Sequence, residues 1–207
     1  MEKLPLYIFN TDPYPKVATK QFEFGKVDTI ETVFTLASGF KRYKYNILYR
    51  PKNVIVYDLN PYAIEFHKRI DSLKRINFNA IKELYYEYTE KNINVVLSDF
   101  ELPNLISLPV EQQLKLNWQI ECKRWGGEEN LVTAFLYFKQ CNAVYEQIDI
   151  VKTRDKMLKY LGENNFIHIS NIFSWTHNPD FDRQELKAQK DGFTRFCWQH
   201  KIGRAND

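Results

Sequence analysis

Apolar positions between residues 32 and 70 follow two rhythms in turn, and their succession predicts strand, turn, helix, strand and helix. Residues 33–36 form a short apolar run with a β-branched member and read as a buried strand. Ala37, Ser38 and Gly39 supply the small residues that a tight backbone turn needs. From Phe40 the spacing changes to three and four, through Tyr43 and Ile47, and Pro51 closes the helix. Residues 54–57, Val-Ile-Val-Tyr, are continuous in apolar character, as in a parallel strand covered by helices on both faces. Asp58 stands at the end of that strand.

Further along, residues 62–90 read as predominantly helical with an interruption near 77–79, and residues 94–99 as a short strand or buried turn. Residues 114–125 repeat apolar positions every four residues until Gly126 and Gly127 stop them, and 128–141 form another helix. Together these make a helical insertion at about residues 61–142, longer than an ordinary crossover. The strand pattern resumes at 143–149 and ends on Asp149, followed by a helix at 153–161, Gly162 as its C-cap, and a strand at 166–170. Before all of this, residues 6–9 are a candidate edge strand and 10–15 a turn cluster.

Parallel strands place all their carboxyl ends along one sheet edge, so the polar residues at these strand ends converge on one crevice. The expected fold is α/β: one three-layer Rossmann-like domain over residues 1–207, with a mainly parallel central sheet and the helical insertion. Gly39 precedes Asp58 by roughly 20 positions, the separation of a glycine turn from a ribose-binding acid in this topology. A dinucleotide site uses three glycines to approach a pyrophosphate, and only Gly39 is present here. S-adenosylmethionine carries no phosphate, so one small-residue turn suffices for it, and it is favoured over NAD. Alternatively, Asp58 caps the following helix, with Asn60 and Pro61 as an ordinary N-terminus.

Composition narrows the picture only slightly. A chain of 207 residues with 44% hydrophobic content can bury a sizeable core, and two independent domains would be a tight fit. A net charge of +3 neither demands nor excludes a nucleic-acid partner, which is not favoured; Lys41, Arg42 and Lys44 read as a solvated helical face. No apolar run reaches the roughly 20 residues that span a bilayer, and no signal-peptide core is evident, so a cytoplasmic location is expected. Cys122, Cys141 and Cys197 are too scattered for a disulfide framework or a paired zinc motif. His177, Asp180 and Asp182 share one loop without a further histidine at metal spacing, so no metal is expected. Trp125, beside the two glycines, is a candidate for the mouth of a substrate site.

With its strand ends in register, the stretch 32–175 resembles the class I S-adenosylmethionine-dependent methyltransferase superfamily. That resemblance implies that Ala37, Ser38 and Gly39 contact the methionine moiety, Asp58 the ribose hydroxyls and Asp149 the adenine amino group. The loop after the fourth strand would face the substrate, with Ser170 counted among the cofactor-binding residues and Asn171 on the acceptor side. His177, in the next loop, is a candidate catalytic residue or a surface turn residue. A narrower likeness, carried by Asp58-Leu59-Asn60-Pro61 and His168-Ile169-Ser170-Asn171, is to enzymes that move the 3-amino-3-carboxypropyl group of the same cofactor. The implied activity is therefore an S-adenosylmethionine-dependent transferase, a methyltransferase in the first instance. A non-catalytic Rossmann-like module acting in binding or assembly is the alternative, because Thr35 and Leu36 stand where an acid would pair with the methionine amino group.

Overall fold

A computed structural model of the chain describes residues 21–22, 25–26, 30–37, 39–74, 77–91, 109–139, 141–169 and 183–205. A two-stranded antiparallel ribbon, β1 (Gln21–Phe22) with β2 (Gly25–Lys26), precedes the main sheet. The sheet consists of β3 (Thr32–Leu36), β4 (Asn53–Asp58), β5 (Asn142–Gln147), β6 (Asn165–His168) and β7 (Ile202–Ala205). Its order is β5-β4-β3-β6-β7, and every adjacent pair is parallel. Helices cover both faces, giving the expected α/β Rossmann-like three-layer fold.

Parallel pairing needs crossovers, and they lie on opposite faces for the two halves of the sheet. Helix α1 (Lys41–Tyr49) joins β3 to β4; α2 (Pro61–Ser72), α3 (Phe78–Lys91), α4 (Val110–Trp125) and α5 (Glu128–Phe138) join β4 to β5. A 3-10 segment, Arg154–Tyr160, leads to β6, and α6 (Arg183–Gln199) leads to β7. Strand side chains alternate between the two layers. Val54 and Val56 join the α1–α5 core, and Val33 packs with Tyr45, Tyr49 and Phe166. Phe34, Leu36, Ile55, Tyr57 and Ile167 pack with Met157, Phe193 and Phe196 on the opposite face. Burying each such side chain contributes about 2 kcal/mol, so both faces of the sheet are strongly held.

Several expected boundaries shift for identifiable reasons. The strand expected at 143–149 stops at Gln147, because Asp149 turns the chain: its Oδ1 accepts from the backbone N–H of Val151 at 2.8 Å and of Lys152 at 3.1 Å. The helix expected at 153–161 is the 3-10 segment, and its C-cap is Leu161 rather than Gly162. A Cβ at Gly162 would meet the side chain of Glu31, whose carboxylate accepts the Glu163 N–H at 2.8 Å. The strand expected at 166–170 is Asn165–His168. The readings made for residues 6–9, 10–15 and 94–99 lie outside the described residues. Among those described, no helix is long and apolar enough to cross a membrane.

Candidate functional site

Strand order decides where a ligand would find space. The chain leaves β3 toward β4 on one side, and later returns to β6 on the other, so the sheet changes direction between β3 and β6. Ligands of open α/β sheets bind at the carboxyl ends of strands flanking such a switch point. The turn after β3 contains Ala37 and Gly39, and Gly39 adopts φ 68°, a left-handed conformation that a residue without Cβ enters at little cost. Ala37 donates its N–H to the Tyr57 carbonyl at 2.9 Å, which ties this turn to the end of β4.

Asp58 follows immediately and is half-buried. Its Oδ1 accepts the Asn60 N–H at 2.9 Å, and its backbone carbonyl accepts the Ile148 N–H at 3.1 Å. The cap of α2 is Asn60, whose Oδ1 accepts the Tyr62 N–H at 2.9 Å, with Pro61 opening the helix. Asp58 therefore shapes the approach to the helix, and the capping role proposed for it belongs to Asn60. Gln147 braces the same loop by donating from Nε2 to the Leu59 carbonyl at 3.0 Å.

Asp149 lies two residues beyond β5, and its Oδ1 is used by the turn that starts the 3-10 segment. Tyr57 reaches beneath β3 and donates its hydroxyl to the His168 carbonyl at 2.8 Å, joining the two sides of the switch point. Burial raises the Tyr57 hydroxyl well above its ordinary pKa of 10, and the nearby Asp58 charge adds to this, so it remains a donor. His168 is itself buried, with its ring 4.7 Å from that of Tyr45. Ala37, Gly39, Asp58 and Asp149 are thus brought to one edge of the sheet, whereas Ser38, Ser170, Asn171 and His177 lie outside the described residues.

Two expectations about neighbouring residues change. Arg42 is buried, not solvated: it donates to the hydroxyls of Tyr43 and Tyr145 and packs over the rings of Tyr43, Phe138 and Tyr145. Trp125 is also buried, donating Nε1–H to Glu121 Oε1 at 3.3 Å, so it does not line a mouth. Phe40 packs into the helical layer against Phe66, Trp118 and Phe135, whereas Tyr62 is half-exposed.

The residue that pattern reasoning overlooked is His67 on α2. It is buried, and its Nε2 hydrogen-bonds to the Ala37 carbonyl in the glycine turn. Desolvation, followed by the positive charge of Arg42, lowers its pKa well below 6.5, which keeps the ring neutral. A usable signal was present in the sequence, since His67 and Asp71 stand four apart on a helix and share a face. Comparison of the chain with family models, with curated proteins and with solved structures returned no match.

Proposed function

We propose that this protein binds S-adenosylmethionine at the carboxyl edge of its sheet and transfers the cofactor's methyl group to an acceptor. The observation that carries the reading is the adjacency of the Gly39 turn and Asp58, on neighbouring strands beside the β3–β6 switch point. The residues present fit such a cofactor. The turn at Ala37 and Gly39 offers backbone without side-chain bulk, and a half-buried carboxylate ends β4 where ribose hydroxyls would seek an acceptor. Asp149 is the candidate for the adenine amino group. When bound, the cofactor would supply an activated methyl on a sulfonium, leaving the protein to align the acceptor and exclude competing water. Ser170 would join the cofactor side, and the acceptor side would fall to Asn171 and His177.

Calorimetric titration with S-adenosylmethionine and S-adenosylhomocysteine, with NAD as control, tests the reading. The first two should bind selectively, and Asp58→Ala should abolish that binding with little change in thermal midpoint. Normal binding by the Asp58→Ala protein would remove the basis of the assignment. Absence of binding by both cofactor forms would favour the alternative, a non-catalytic Rossmann-like module acting in binding or assembly. Product analysis separates the two transfer chemistries, because methyl transfer leaves S-adenosylhomocysteine and 3-amino-3-carboxypropyl transfer leaves methylthioadenosine.

A further inference from the structure

A buried polar chain runs through the helical layer and ends on the candidate cofactor turn. It starts at Asp71 on α2, whose side chain is 25% exposed and whose Oδ2 accepts the Tyr145 hydroxyl. Arg42 Nη1 donates to the Tyr145 oxygen at 3.2 Å, and Arg42 Nη2 lies 3.9 Å from Asp71 Oδ1. Arg42 Nη2 also donates to the Tyr43 hydroxyl oxygen, and that hydroxyl lies 3.5 Å from His67 Nδ1. His67 Nε2 then meets the Ala37 carbonyl.

The protons in this chain can point only one way. The Ala37 carbonyl can only accept, which places the His67 proton on Nε2 and leaves Nδ1 of the neutral ring as an acceptor. Guanidinium only donates, so the Tyr43 oxygen accepts from Arg42 and its own hydrogen turns to Nδ1. We propose that His67 is a positioning residue for the turn after β3, its tautomer imposed through Tyr43 by buried Arg42 and its Nε2–H holding the Ala37 carbonyl.

Packing alone gives a poorer account of these residues. Taking a guanidinium out of water is costly unless it is well compensated, and a leucine or methionine would fill the same space without that cost. Here the compensation comes from Asp71, two hydroxyls and three ring faces, and the whole arrangement leads to a single backbone carbonyl at the sheet edge.

This inference rests on the proposed cofactor reading for its functional meaning, but its structural core can be tested without ligand. Hydrogen exchange at the Ala37 amide reports opening of the turn, because that amide is bonded to the Tyr57 carbonyl. His67→Leu should accelerate that exchange about tenfold, whereas His67→Gln, whose amide can still donate to the carbonyl, should stay within about threefold of wild type. If the wild type binds S-adenosylmethionine, affinity should follow the same pattern, falling about tenfold in the Leu variant and recovering in the Gln variant. Wild-type exchange in His67→Leu, equal damage by Gln and Leu, or unchanged cofactor affinity in His67→Leu would each overturn the proposal. Absence of binding by the wild type would overturn the cofactor reading alone and leave exchange to decide. Should His67→Leu fail to fold, Tyr43→Phe removes only a hydroxyl. Imidazole ¹⁵N shifts should then show mixed tautomers where the wild type shows Nε2–H, and an unmixed Nε2–H tautomer in that variant would refute the chain.

Discussion

Glu121 is a carboxylate on α4 with almost no contact with water, and it is held by the Trp125 indole at 3.3 Å and, more loosely, by Arg124 at 3.9 Å. Desolvation outweighs both and lifts its pKa from 4.5 to about 7. The folded protein therefore holds a proton that the unfolded chain has released between those values. The protonated form's stabilising contribution is complete below 4.5 and is lost as pH rises through 7. We predict that Glu121→Gln is more stable than wild type at pH 8 by up to about 3 kcal/mol, with no difference below 4.5. Urea unfolding at both pH values checks this, and an advantage independent of pH would contradict it. Residues such as Glu121 and Arg42 were not legible as buried groups, because hydropathy gives a charged side chain to solvent by default. Arg42, Tyr45, Asn46 and Tyr49 make up a second buried stripe on α1, which exists because the helix lies between the sheet and α5.

Among elements, the α4–α5 corner was readable in detail. Gly126 occupies the C-cap of α4 at φ 74°, and the N–H of Gly127 returns to the Cys122 carbonyl at 2.9 Å. Gly126→Ala should lower stability by about 1 kcal/mol, since the new Cβ faces both the left-handed backbone and Asn130 Nδ2 at 3.3 Å. A chemical melt with no loss would show that this cap is not needed to stop the helix. Strands β3 and β4 were equally plain, as short buried runs, apolar at 33–34 and 36 and at 54–57, covered on both faces. α6 and β7 were not anticipated. β7 is only four residues long and contains Gly203 and Arg204, so neither apolar continuity nor alternation marks it. Its place is set by pairing with β6 and by burial of Ile202. Of the candidate site, Gly39 and Asp58 were visible through their spacing, whereas the spacing of His67 and Asp71 marks only a shared helix face and the contact of His67 with the Ala37 carbonyl is tertiary.

At the scale of the molecule, the order β5-β4-β3-β6-β7 puts the first of these five strands in the sequence at the centre of the sheet. Its two neighbours come from very different distances along the chain: Phe34 pairs with Ile55 on one side and with Ile167 on the other. Closing the second pairing costs more chain entropy than the first, which needs only the short α1 crossover. Ile55→Val and Ile167→Val remove the same group from one core, each costing about 1 kcal/mol. We predict that Ile55→Val mainly slows folding and Ile167→Val mainly speeds unfolding, as stopped-flow kinetics would reveal. The reverse partition would mean that β6 docks before β4. On that prediction the edge between β3 and β6 is assembled last, together with the core face that Ile167 and Phe193 complete, so a ligand bound there as proposed would trap the finished sheet without hastening its formation.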